Sequence, residues 1–183
     1  MELYDRAFNQ AEELLSNELP RRWSHVQAVG SKALSVGSRL MNDTDQEALA
    51  VSAILHDIGY ASELAATGFH PLDGARWLRD HGWNKRIVDL VAHHSCAAVE
   101  AEERGLREVL EAEFQNEASE VTEALWYCDM TTGPTGLDVE VGDRLTEILE
   151  RYGPDHVVSR FIRKAQSSIM DAVSRTEARL LSA

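Results

Sequence analysis

Two adjacent residues with metal-binding side chains, His56 and Asp57, follow an apolar segment at residues 48–55. On a helix, neighbouring side chains point about 100° apart, so this pair can reach one ion only where the ion lies beyond the helix end. Gly59 is predicted to end that helix. By itself such a pair is more often a buried histidine bonded to its neighbour, and its interpretation depends on the rest of the chain.

Other imidazole and carboxylate groups complete a candidate metal-binding set. It adds four histidines beside predicted helix ends or Gly/Pro positions and one later aspartate: His25, His70, His93, His94 and Asp129. Imidazole nitrogens bind transition metals, and a carboxylate can bridge two ions. The set therefore has the chemistry of a two-metal site. Structural roles stay open for some members, since His70 precedes Pro71 and can simply start a helix, and Asp129 can cap a helix or pair with Arg144.

The order of these residues resembles the signature of the HD-domain superfamily of metal-dependent phosphohydrolases. That signature is a histidine, a His-Asp pair and a later aspartate on separate helices, here His25, His56-Asp57 and Asp129. The sequence AILHDIG at 53–59 resembles the end of the family's core helix. HPLDGA at 70–75 and VAHH at 91–94 resemble elements of its two-metal branches. The resemblance covers residues 22–136.

The resemblance implies a cofactor of one or two divalent transition metal ions, drawn from Fe, Mn, Zn, Ni and Co. It implies four ligands for the first ion: His25, His56, Asp57 and Asp129. For the second ion it implies Asp57 as a bridge, together with His70 and one or both of His93 and His94, with His93 preferred. The interval from Asp57 to His70 is shorter than in many two-metal members. The expected catalytic residues are Asp57, His70 and His94.

The resemblance also implies an enzyme, a phosphohydrolase that cleaves a small phosphate ester or anhydride, such as a nucleotide, with a metal-activated water. One alternative is a mixed-valent di-iron oxygenase, because the ligand order of that HD-type branch is also compatible with this chain. A second alternative is a ligand-binding regulatory module with a non-catalytic metal site. Metal identity and stoichiometry would separate these functions.

Five polar side chains near the motifs are candidate substrate contacts: Arg22, Arg76, Lys85, Thr131 and Thr132. The expected partner is a small phosphorylated molecule. A formal net charge of −13 argues against binding of long nucleic acid, which needs many Lys and Arg side chains to neutralise phosphates. There is no GxxxxGK[ST] loop for a nucleotide phosphate.

Apolar residues recur at helical spacing through most of the chain, which predicts an all-α fold, a compact helical bundle with the metal cleft between core helices. We expect one domain over residues 1–183, with a motif core at 22–136 and terminal helices at 1–19 and 139–181 packing on it. Thr44 or Asp45 is a predicted N-cap, Asn84 is predicted to start a helix, and Gly82 to stop one. An acidic segment, 100–123, is predicted as an outer helical layer.

The chain shows neither a leader-like segment at 1–20 nor a long apolar stretch, which predicts a soluble cytoplasmic protein without membrane contact. The expected assembly is a monomer or a homodimer. The last helix carries an apolar stripe, Val158, Phe161, Ile162, Ile169 and Val173. Packing of this stripe within the chain is favoured over dimerisation.

Overall fold

The computed structural model describes residues 2–183 as ten α-helices, which confirms the all-α prediction. In chain order they are α1 Glu2–Leu15, α2 Pro20–Leu40, α3 Asp43–Leu55, α4 His70–Asp80, α5 Lys85–Ala92, α6 Ala97–Glu103, α7 Arg107–Glu113, α8 Glu120–Met130, α9 Val141–Tyr152 and α10 Val157–Ser182. Short 3₁₀ helices, Ile58–Tyr60 and His94–Cys96, follow α3 and α5. An isolated antiparallel bridge joins Thr132 to Asp138.

Side-chain caps explain where several helices begin. Asn42, rather than Thr44 or Asp45, caps α3, because its Oδ1 accepts hydrogen bonds from both of those backbone amides at 3.0 Å. Asn84 caps α5 as predicted, accepting from the Arg86 amide at 2.9 Å. Gly82 ends the turn after α4 with φ +72°, a conformation that glycine adopts without a Cβ clash.

Four boundaries differ from those predicted. Helix α1 ends at Leu15 and not at residue 19. Apolar periodicity predicts the next helix over 26–41, whereas α2 begins at Pro20, so that it carries both Arg22 and His25. The acidic segment is divided between α6, α7 and the first turn of α8 instead of forming one helix. Helix α3 ends at Leu55 without help from Gly59, which lies inside the following 3₁₀ helix.

Helix α3 lies at the centre of the fold. Residues 48–55 are all buried, as expected for a helix that is apolar on every side. It packs against α1, α2, α5 and α8. Its C-terminal end therefore lies in the protein interior, and this places His56 and Asp57 where other helices can meet them.

Helices α9 and α10 pack on α8 and on each other. Phe161, Ile162, Ile169 and Val173 are buried in one apolar cluster with Met130 and Ile148, which confirms that the stripe of the last helix packs within the chain. Within residues 2–183, no helix combines the length and apolar character needed to cross a membrane.

Candidate metal centre

Six of the predicted ligands converge in the interior, and most lie at helix ends. His25 lies in the first half of α2, and Asp129 in the last turn of α8. His56 and Asp57 follow α3, His70 begins α4, and His94 follows α5 by two residues. The chain thus brings together groups that are up to 104 residues apart.

The first group consists of His25, His56 and Asp57, whose ligand atoms lie within 4.8 Å of one another. His56 Nε2 is 3.3 Å and His25 Nε2 is 3.9 Å from Asp57 Oδ2. Asp129 adjoins this group, with Oδ1 3.1 Å from His25 Nε2 and 3.8 Å from His56 Nε2. Two imidazoles and two carboxylates therefore surround one position.

The second group consists of Asp57, His70 and His94, again within 4.8 Å of one another. His70 Nε2 is 3.3 Å from Asp57 Oδ1 and 3.1 Å from His94 Nε2. His70 therefore lies beside Asp57, although the interval between the two residues in the sequence is short. Asp57 belongs to both groups and directs one oxygen toward each, which is the geometry of a bridging carboxylate.

Backbone carbonyls fix the orientation of three of the histidine rings. His25 Nδ1 lies 3.1 Å from the Gly133 carbonyl, His56 Nδ1 2.7 Å from that of Ala53, and His94 Nδ1 2.6 Å from that of Val91. A carbonyl oxygen only accepts, so each Nδ1 must carry the proton. In the neutral rings the Nε2 lone pairs then face the cluster, as in metal-ligating histidines.

Two observations show that a metal fits these residues. Within residues 2–183, the buried Nε2 of His56 has no hydrogen-bond partner. The Nε2 atoms of His70 and His94 approach to 3.1 Å, and two lone pairs at that distance repel unless a proton or a cation lies beside them. Imidazole and carboxylate together are a donor set that transition metals accept.

The electrostatics of the cluster favour positive charge at its centre. Burial lowers the pKa of His56, but Asp57 and Asp129 outweigh burial and raise that pKa to about 9. Burial raises the pKa of Asp57, yet the Arg22 guanidinium and His56 hold it well below its usual range. Burial, together with His70 and His56, lowers the pKa of His94 to about 4, so His94 is neutral, as a metal ligand must be.

Arg22, Tyr60 and His70 form a stack along one side of the cluster. The Arg22 guanidinium lies 3.8 Å from the Tyr60 ring centroid, and the Tyr60 and His70 rings are stacked at 4.0 Å and 19°. Arg22 Nη1 also donates to Asp57 Oδ2 at 2.6 Å. The stack therefore orients two candidate ligands, Asp57 and His70.

A strained turn orients Asp129. Ser95 and Cys96, directly after His94, have φ values of +45° and +61°, which residues with a Cβ rarely adopt. Such strain persists where the surrounding structure imposes it, and it clusters at functional sites. Here it directs the Ser95 hydroxyl to donate to Asp129 Oδ2.

Several residues that the sequence suggested lie outside the cluster. The ring of His93 turns away, with Nε2 3.1 Å from the carbonyl of Phe114, so the structure brings His94 and not His93 to Asp57.

Four of the predicted substrate contacts also lie outside the cluster. Arg76 pairs with Glu113, and Lys85 is exposed and pairs with Asp89. Thr131 and Thr132 are buried and donate to carbonyls of the preceding helix α8, those of Tyr127 and Cys128, both at 2.7 Å.

A cleft of about 610 Å³, including the space open to solvent at its mouth, lies over the second group. Asp57, His70, His94 and Asp129 line it, and of the predicted substrate contacts it receives Arg22. Its lining also includes residues that were not predicted there: Tyr60, Ser95, Arg144, Arg151 and Tyr152. Arg144 pairs with Glu147 and not with Asp129. The sequence feature that could have identified these two arginines as a pair is their seven-residue spacing, which places both on one face of a helix.

A comparison with curated proteins found no match, and neither did a comparison with solved structures. A family model described as HD domain matches residues 22–125, more than half of the 183-residue chain. The matched span contains five residues of the cluster, His25, His56, Asp57, His70 and His94, and ends four residues before Asp129. On this match, the chain belongs to the HD domain family.

Proposed function

We propose that this protein is a metal-dependent phosphohydrolase that cleaves a small phosphate ester or anhydride. The observation that carries the proposal is the position of Asp57, which is shared between the His25–His56 group and the His70–His94 group at the base of a cleft. Membership of the HD domain family supports it, because that family consists mostly of metal-dependent phosphohydrolases.

The proposed role of each residue follows from its position in the centre. His25 and His56 are 2% and 0% exposed, and they hold the inner part of the centre. Asp57, His70 and His94 line the cleft, which places them beside the reacting phosphate and makes them the proposed catalytic residues. A bound pair of divalent ions would supply an acidified water and polarise the phosphate oxygens.

Arg22 has two tasks in this proposal. Its bond to Asp57 Oδ2 at 2.6 Å fixes the carboxylate, and its guanidinium lines the cleft where phosphate oxygens would lie. A guanidinium has five N–H donors in a fixed plane, so it can bind a carboxylate and a phosphate at once. Burial lowers the pKa of Arg22, but Asp57 raises it more, and the side chain stays charged.

The test is phosphate release by the full chain reconstituted with Mn²⁺, Zn²⁺ or Fe²⁺ on a panel of nucleotides and phosphomonoesters. We expect release with at least one metal, and we expect Asp57→Asn to lower kcat/KM by about 100-fold or more. His81→Gln, a change at an exposed histidine outside the cluster, is the matched control and should retain activity.

The same experiment can contradict the phosphohydrolase proposal. If protein with bound metal releases no phosphate from any compound of the panel, the phosphohydrolase proposal is wrong. Two irons per chain with an oxygen-sensitive mixed-valence signal, and no phosphate release, would assign the site to oxygenase chemistry instead.

A further inference from the structure

One wall of the cleft comes from residues beyond the HD-domain match, which ends at residue 125. Helices α9 and α10 form this wall, and seven of their residues line the cleft: Arg144, Ile148, Arg151, Tyr152, Val158, Phe161 and Ile162. Asp57, His70 and His94 line the same cleft. Whatever binds above the metal centre must therefore also contact α9 and α10.

Arg144 is an unusual residue for such a wall, because its side chain is charged and only 6% of the residue is exposed. Its Nη1 donates to Glu147 Oε2 at 2.7 Å. Within residues 2–183, its Nε is buried and has no hydrogen-bond partner. Since buried donors normally have acceptors, the incomplete pairing points to an acceptor outside the protein.

The charges on this wall favour an anion as that acceptor. Arg151 Nη2 lies 3.1 Å from the same Glu147 oxygen, so two guanidinium groups share one carboxylate. The buried Glu100, which also lines the cleft, is paired with Arg104 at 2.6 Å. The wall thus carries excess positive charge in a chain whose net charge is −13.

Apart from the Tyr152 hydroxyl, the rest of the wall is apolar. Ile148, Phe161 and Ile162 are buried side chains that face the cleft beside the arginines. Apolar walls with a few placed polar groups are typical of pockets for small molecules. A polyphosphate would leave these apolar side chains without a partner.

We infer that the cleft selects a phosphate monoester of a small apolar or aromatic alcohol. Arg144 and Arg151 bind the phosphoryl oxygens from α9, and Ile148 and Phe161 contact the carbon part of the molecule. As a statement about the substrate this rests on the proposed function, whereas the binding of such an anion does not require turnover.

The test uses phenylphosphonate, a ligand that cannot be hydrolysed at an ester bond, with calorimetry on the metal-loaded full chain. We expect phenylphosphonate to bind about tenfold or more tightly than methylphosphonate, because its ring buries apolar surface. Arg144→Gln and Arg151→Gln should each weaken phenylphosphonate binding by about tenfold or more. Arg107→Gln, a change at an exposed ion-paired arginine away from the cleft, should bind as wild type does.

Phe161→Ala tests the apolar contacts, and it should remove most of the preference for phenylphosphonate over methylphosphonate. Wild-type binding by both Arg144→Gln and Arg151→Gln would overturn the inference, and so would equal binding of the two phosphonates by the wild type. If Arg144→Gln does not fold, Arg144→Lys and the more exposed Arg151→Gln decide the matter.

The two proposals fail in different ways. If no compound releases phosphate but phenylphosphonate binding still depends on Arg144, the anion site stands and the phosphohydrolase proposal is wrong. If phosphate is released and the arginine variants bind phenylphosphonate as wild type does, the phosphohydrolase proposal stands and this inference is wrong.

Discussion

His93 and His94 show how far two adjacent residues of one type can differ. Helix α5 ends at Ala92, and the chain then turns, so that His94 faces Asp57 while His93 faces Phe114. The sequence predicted that this pair contributes to the cluster, because the VAHH motif and its order along the chain are readable. It favoured His93 as the ligand, whereas the structure brings His94 to the cluster. The direction of each ring could not be predicted, because it depends on a turn whose left-handed residues, Ser95 and Cys96, are not glycines.

Replacing these neighbours one at a time tests their different positions. We expect His94→Ala to weaken metal binding by about tenfold or more, since it removes a nitrogen that faces the cluster. His93→Ala should keep its metal and lose about 1–3 kcal/mol of unfolding free energy, because it removes a buried side chain and its bond to the Phe114 carbonyl. Metal titration and urea unfolding measure the two effects. The opposite pattern, with metal lost from His93→Ala alone, would contradict the positions of the rings.

At the scale of elements, the contact between the 3₁₀ helix at Ile58–Tyr60 and the first turn of α4 determines where His70 lies. A Cβ on Gly59 would lie 2.0 Å from the His70 carbonyl oxygen and 2.7 Å from the Gly74 nitrogen. The sequence predicted Gly59 to end a helix, and its role is instead to let two backbones meet. Local sequence could not reveal this role, since the contact involves residues 11 and 15 positions further along the chain.

Alanine at two glycines provides a matched test of that contact. Gly59→Ala should lower the free energy of unfolding by about 3 kcal/mol, because the methyl group meets backbone atoms that cannot move independently. It should also weaken metal binding, since it displaces His70. Gly142→Ala, on α9, has no heavy atom within 4 Å of the added Cβ and should change stability by less than about 1 kcal/mol, toward greater stability. Urea unfolding would contradict the proposed role of Gly59 if both variants behaved alike.

At the scale of the whole molecule, the fold class and most helices followed from the sequence, because apolar periodicity and caps are local signals. The cleft did not. Its lining comes from α2, α4, α6, α8, α9 and α10 and from the turns after α3 and α5. Periodicity shows which face of α9 is buried, but not that Arg144 and Arg151 line one cleft together with Asp57. The C-terminal helices α9 and α10, expected only to pack on the core, form a wall of the candidate site.

The central claim is that Asp57 lies between two metal ions, and metal content measured by plasma mass spectrometry tests it most directly. After saturation and removal of free metal, we predict about two ions per chain in the wild type and in His81→Gln, and fewer in Asp57→Asn, which lacks the second anionic oxygen. A wild-type chain that binds no transition metal, or an Asp57→Asn chain that keeps the full wild-type content, would contradict the claim.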